Sequence, residues 1–147
     1  MPIDSSSFCA DLELIQTFEK QSIPITCDED RVLFRQGEAP AGIFILREGA
    51  ATLSRHCSEN EFVISLRSTA PSLIGLPGVL SRNPHAFSAV AQSGSHVSFV
   101  NRDEVAHFME TDPPLSIRVL QVLAAEVDYA RKAILNQIRG DDLLASS

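Results

Sequence analysis

The sequence predicts a mainly β fold with flanking helices (α+β), arranged as an antiparallel barrel, roll or sandwich. Two observations carry this. Between Ile23 and Val100, short runs rich in Val, Ile, Leu, Phe and Thr alternate with turn residues, and many short strands at short intervals suit antiparallel pairing. Outside that region the apolar period changes to the three-and-four spacing of helices.

Taken in order, Phe8, Leu12, Ile15 and Phe18 fall on one face of a helix over 7–20. Ser7 is its candidate cap, and Pro24 disfavours helical geometry in the residue before it. Strands are expected at 25–27, 32–34, 43–46, 50–56, 61–66, 87–91 and 95–100, with a shorter strand-like run at Ser72, Leu73 and Ile74. Asp28-Glu29-Asp30, Gly37, Gly42, Gly49, Ser58-Glu59-Asn60 and Gly94 supply the turns. Asn101 caps a helix whose first turn holds Asp103 and Glu104, with Val105, Phe108 and Met109 on its buried face. Asp112-Pro113 opens a longer helix over 113–139, which is expected to stop at Gly140 and leave a tail over 140–147. The whole of 1–147 reads as one domain: a helix at 7–20, a strand region at 23–100, and two helices within 102–139.

Composition narrows the function. A chain of 147 residues, 21% charged and 44% hydrophobic, suits one globular unit with its own core. A net charge of −7 with no basic run argues against direct nucleic-acid binding. Cys9, Cys27 and Cys57 are odd in number and form no CxxC pair, so neither a full disulfide set nor a zinc site is expected. The N-terminus lacks the charge and apolar core of a signal peptide, and no apolar run approaches the roughly 18 residues of a membrane span. A cytoplasmic location without a membrane partner is the expectation. No Gly-x-Ser-x-Gly elbow, P-loop or catalytic carboxylate pair is present, so no enzyme is expected. His56 and Cys57 point to opposite faces of a strand, and His85, His96 and His107 fall on different elements, so no metal site is expected.

One stretch points to a ligand. After Ser72-Leu73-Ile74 the chain turns at Gly75, passes Pro77 and Gly78, and reaches Asn83-Pro84 before the next strand. A glycine leading from a strand into a helical turn presents backbone N–H groups to an anion, so residues 74–88 suggest a small-molecule pocket.

The framework also resembles a known family. Phe34, two residues, Gly37-Glu38, then Gly42-x-Phe44-x-Leu46-x-x-Gly49 is similar to the first half of a cyclic nucleotide-binding domain, the sensor domain of catabolite-activator-type (Crp/Fnr-type) regulators. Phe99 to Met109, then Asp112-Pro113-Pro114-Leu115 and a Leu-rich helix, resembles the two helices that follow in that family. The resemblance spans roughly residues 12–135 and implies an antiparallel β-roll, or jelly roll, of the cyclic nucleotide-binding domain type.

It also implies site residues. In the family's phosphate-binding cassette, Ile74 and Gly75 fill the first two positions. Leu76 stands where the family has a Glu that holds the ribose hydroxyl. Pro77 and Gly78 replace Leu-Ala, Pro84 matches, His85 stands where an Arg grips the cyclic phosphate, and Ala86 and Ser88 match. The expected ligand-binding residues are therefore Gly75, Leu76, Gly78, His85, Ala86 and Ser88. Losing two charged contacts, at about 1.5–3 kcal/mol each, weakens binding on the order of 10²- to 10⁴-fold, so cAMP or cGMP is disfavoured by the usual route and the ligand stays unassigned. Two readings stay open for His85: a protonatable phosphate contact with Arg82 beside it, or an exposed loop residue. Leu76, Val79, Leu80 and Phe87 either line an apolar pocket or fill it.

The long helix carries Leu120, Leu123, Val127, Ala130 and Ile134 at heptad-like spacing, with Ile138 four further on. The resemblance implies that this helix pairs across a two-fold axis, so a homodimer through 113–139 is expected. Only about eight residues follow it, too few for the helix-turn-helix of such regulators. The expected function is a non-enzymatic, dimeric, ligand-sensing regulatory domain. The alternatives are an interaction module with a collapsed pocket and the sensor part of a longer transcription regulator.

Overall fold

The computed structural model describes residues 12–57 and 62–146. Helix α1 (Leu12–Glu19) leads into strands β1 (Ile23–Ile25), β2 (Arg31–Phe34), β3 (Gly42–Glu48), β4 (Ala50–Cys57), β5 (Phe62–Thr69) and β6 (Ser72–Ile74). Helix α2 (Leu76–Ser81) precedes β7 (Ser88–Ala91) and β8 (His96–Asn101), and then come α3 (Arg102–Thr111) and α4 (Pro113–Ser146). The strands form two four-stranded antiparallel sheets, β1-β8-β3-β6 and β2-β7-β4-β5. This is the antiparallel roll with flanking helices.

Strand β3 explains the layering. Residues 42–46 are all buried, because both faces of this strand are covered. Side chains alternate across a strand, so Phe44 and Leu46 point toward the second sheet while Ile43 and Ile45 point the other way. Phe44 and Leu46 join Phe34, Ala51, Ala89, Ala91 and Val97 between the sheets. Ile43 and Ile45 join Leu14, Phe18, Val105, Leu115 and Val119 beneath the helices. Fully burying each such aliphatic side chain contributes about 1.5–3 kcal/mol. An all-apolar run is what a strand between two cores requires.

The helices dock by matching contacts. Phe18 meets Phe108 edge-on at 5.2 Å between ring centroids, joining α1 to α3. Asn101 caps α3, its side chain accepting from the Asp103 N–H at 2.7 Å, and Asp112 accepts from the Leu115 N–H at 3.1 Å where α4 begins.

Several boundaries differ from expectation. The first strand lies at Ile23–Ile25 rather than 25–27, because Ile23, Pro24 and Ile25 pair with Phe99, Ser98 and Val97. The strand expected at 61–66 extends to Thr69, along the whole length of β4. Helix α4 does not stop at Gly140. It continues through the expected tail to Ser146, giving 34 residues, or about 51 Å. A glycine within a helix costs about 1 kcal/mol relative to alanine, so it ends one only where the chain can make a competing cap. Ser7, Phe8, Cys9 and the turn at 58–60 lie outside the described residues.

Candidate functional site

Gly75 ends β6 with φ +96°, a backbone conformation that favours glycine, and α2 starts directly after it. That reversal sends Leu76 back into the core beneath the helices, where it is fully buried beside Ile43 and Ile45. Val79 and Leu80 pack against the same core. The loop after α2 returns over the top. His85 is tied to the turn at 35–38 by two backbone bonds: its N–H donates to the Glu38 carbonyl at 3.0 Å, and its carbonyl accepts from the Gly37 N–H at 2.8 Å.

His85 is neither an exposed loop residue nor a free cation. It is 5% exposed, and its ring lies 3.7 Å from that of Phe34, centroid to centroid. A Cβ on Gly78 would come within 3.0 Å of His85 Nδ1, so the bare backbone of α2 makes room for the ring. Burial lowers the His85 pKa below the usual histidine value, opposed by the Glu38 carboxylate, and the imidazole is neutral at pH 7. Arg82, its proposed companion, caps the end of α2 at φ +58° and is exposed.

Between this loop and α4 lies a cavity of about 420 Å³. Its floor is Phe34, Leu53 and Leu66 from β2, β4 and β5. One side is Gly75, Pro77, Gly78, His85, Ala86 and Phe87. Helix α4 roofs it with Glu126, Val127, Tyr129, Ala130, Arg131, Ile134 and Leu135. Such a volume falls within the range of small-molecule sites, and the wall is overwhelmingly apolar.

The roof is held at two places. Leu115 and Val119 anchor the start of α4 in the core beneath the helices. Farther along, Tyr129 donates its hydroxyl to the Arg67 carbonyl at 3.2 Å, and Gln137 pairs with both backbone groups of Ser65, donating at 2.6 Å and accepting at 3.1 Å. These bonds satisfy part of the outer side of β5, which is the sheet edge.

Of the six expected ligand-binding residues, Gly75, Gly78, His85 and Ala86 come together on the cavity wall. Leu76 and Ser88 do not. Leu76 faces the core, and the Ser88 hydroxyl accepts from the Gln36 N–H at 2.8 Å. Phe87 lines the cavity, while Val79 and Leu80 belong to the core, so the apolar side chains of this stretch divide between the two roles. Sequence reasoning misses Glu126, although one signal is there: an acid on the otherwise core-facing row Leu115, Val119, Val122, Glu126, Tyr129. The Glu126 Oε2 is shielded from solvent and has no hydrogen-bond partner among the described residues. Burial pushes this carboxyl up to about 8.

The expected dimer row divides as well. Leu120 and Val127 are exposed, Leu123 packs on the core, and Ala130 and Ile134 line the cavity. The outward row of α4 is instead Ile117, Leu120, Ala124 and Val127, each exposed, Val127 also lining the cavity. Among the described residues, no three His, Cys, Asp or Glu side chains are placed to share a metal ion, and no helix is long and apolar enough to cross a membrane.

A β-roll followed by a long helix is also the fold of several solved structures. The sequence model for the cyclic nucleotide-binding domain matches residues 24–112, and the chain belongs to that family. A cyclic nucleotide-binding domain from Methylobacillus flagellatus KT superposes with a TM-score of 0.71 at 19% identity, covering 86% of this chain and 74% of that one. The catabolite activator protein of Thermus thermophilus superposes at 0.69 and 18% identity, covering 92% of this chain and 60% of that one. The global regulator CLP of Xanthomonas campestris, described as c-di-GMP responsive, superposes at 0.67 and 14% identity, over 92% and 65%. The chain thus spans less than two thirds of the length of the latter two regulators. At these identities the likeness is one of fold. No curated protein matches the sequence.

Proposed function

We propose that this chain is a non-enzymatic, ligand-sensing regulatory domain in which a small molecule held beneath α4 changes the seating of that helix on the roll. The observation that carries this reading is the cavity of about 420 Å³ bounded by the loop at 75–87 on one side and by α4 on the other. A ligand there touches both the rigid roll and a helix held by few bonds, so differential contact can shift the helix between seatings. The same cavity argues against the collapsed-pocket alternative. The reading applies equally to a domain acting alone and to the sensor part of a longer regulator.

Cyclic nucleotides are poor candidates for this cavity. Leu76 faces the core and offers a ribose no acceptor, and a neutral His85 offers a phosphate no charge. Without these two contacts, affinity falls on the order of 10²- to 10⁴-fold. Calorimetric titration with cAMP and cGMP is therefore expected to give no saturation in the low micromolar range; tight binding of either refutes the assignment of Leu76 and His85. The exposed row Ile117, Leu120, Ala124 and Val127 supports a homodimer formed along the outer side of α4.

A further inference from the structure

The roof of the cavity carries one group that the sensing mechanism leaves unused. The core-facing row of α4 runs Leu115, Val119, Val122, Glu126, Tyr129, in steps of three and four. Leu115, Val119 and Val122 pack into the core, and the Tyr129 hydroxyl donates to the Arg67 carbonyl. Glu126 puts a carboxyl into this row. Its Oε2 is shielded from solvent and has no hydrogen-bond partner among the described residues.

An unpartnered acceptor in an apolar wall destabilises the fold, and an apolar side chain of similar size is better there. The carboxyl therefore suggests a partner that arrives with the ligand. The cavity that Glu126 lines is walled elsewhere by Phe34, Leu53, Leu66 and Phe87, which ask for an apolar body. The other titratable groups on the cavity are His85 from the loop after α2, and Tyr129 and Arg131 from α4. His85 is neutral, the Tyr129 hydroxyl is already donating, and the Arg131 guanidinium lies 3.9 Å from the Asp128 carboxylate.

We propose that the cavity takes a hydrophobic amine, whose apolar body fills the space beneath α4 and whose ammonium group pairs with the Glu126 carboxylate. The proposal rests on the ligand-sensing reading above and names its ligand class.

Near pH 7 the Glu126 carboxyl, with a pKa pushed up to about 8, holds its proton. Pairing with an ammonium group stabilises the carboxylate and releases that proton to solvent. Affinity then rises about tenfold per pH unit below 8 and levels off above it, while an amine with a pKa near 10 stays charged. His85 is shifted the other way, below the ordinary histidine value, so it does not produce a rise toward pH 8.

The test uses three matched probes, 2-(1-naphthyl)ethylamine, 2-(1-naphthyl)ethanol and 1-naphthylacetic acid, titrated calorimetrically between pH 6 and 8.5 into the protein and its Glu126→Gln variant. The amine is expected to bind at least about tenfold more tightly than the alcohol at pH 8, with the rising pH profile. Glu126→Gln should reduce the amine to the level of the alcohol and leave the alcohol unchanged. Should that variant fail to fold, the amine-to-alcohol ratio and the pH profile of the unaltered protein decide. Amine binding that is flat with pH, or undiminished in Glu126→Gln, overturns the proposal. Preference for the alcohol, the acid or a cyclic nucleotide overturns the amine and leaves the sensing reading standing. Binding by none of the three probes and by neither cyclic nucleotide overturns both.

Discussion

Replacing Glu126 by glutamine should change how stability depends on pH, with no ligand present. The carboxyl titrates near 4.5 in an unfolded chain and is pushed up to about 8 by burial in the folded one. Between these values the folded state holds a proton that the unfolded state has lost. Stability contributed by the neutral carboxyl is full below about 4.5 and disappears as pH rises through 8. The slope is about −1.4 kcal/mol per pH unit, so raising the pH from 5.5 to 7.5 should remove at most about 2.7 kcal/mol. That is a large share of the roughly 5–15 kcal/mol typical of a domain. His85 works in the opposite sense, because its lowered pKa costs stability as pH falls toward the ordinary histidine value and below it. Both forms carry His85, so the difference between them isolates Glu126. Urea unfolding in a constant-ionic-strength buffer series is the assay. The unaltered protein should lose stability relative to Glu126→Gln across this window, and the variant should be the more stable of the two at pH 8. Parallel stability curves for the two proteins would refute the assignment of a carboxyl held neutral by burial.

Two further predictions concern the frame and the assembly. In Gly42→Ala, the new Cβ would collide with the Val100 carbonyl oxygen and lie 2.8 Å from the Phe99 ring, at the end of the β3–β8 pairing. The expected cost is about 3 kcal/mol, read as a lowered midpoint in thermal unfolding. Leu120→Glu changes a residue that is 52% exposed and outside the cavity, so folding should be little affected. Sedimentation velocity at high micromolar concentration should report a dimer for the unaltered protein and a monomer for this variant; a monomer for both removes the dimer from the proposal.

Much of the frame was readable in the residues alone, because it follows from local periodicity. The run over 43–46 already read as a strand, and the glycines around it marked its corners, although that both of its faces are covered shows only in the packing. Asn101 and Asp112 announced two helix starts through their own side chains, and both caps form. The spacing around Phe34, Gly37 and Gly42 pointed to the family to which the chain belongs. The stretch over 74–88 suggested a small-molecule pocket, and four of its six named residues line a cavity.

What the tertiary structure decided was direction. Helix α4 carries two adjacent apolar rows, one through Leu115, Val119 and Val122 and one through Leu120, Leu123 and Val127. The hydrophobic period cannot say which row meets the roll when both are apolar. Packing chose the first, which turned Glu126 inward and left Leu120 outside, with Val127 half-exposed beside the cavity it also lines. Likewise, the left-handed turn at Gly75 sent Leu76 to the core, and the backbone bonds that hold the His85 loop placed its ring against Phe34. Residue type and spacing determine the elements because those depend on neighbours within a few positions. Whether a side chain meets solvent, core or ligand depends on elements tens of residues away, and for His85 and Glu126 that long-range packing also sets the charge.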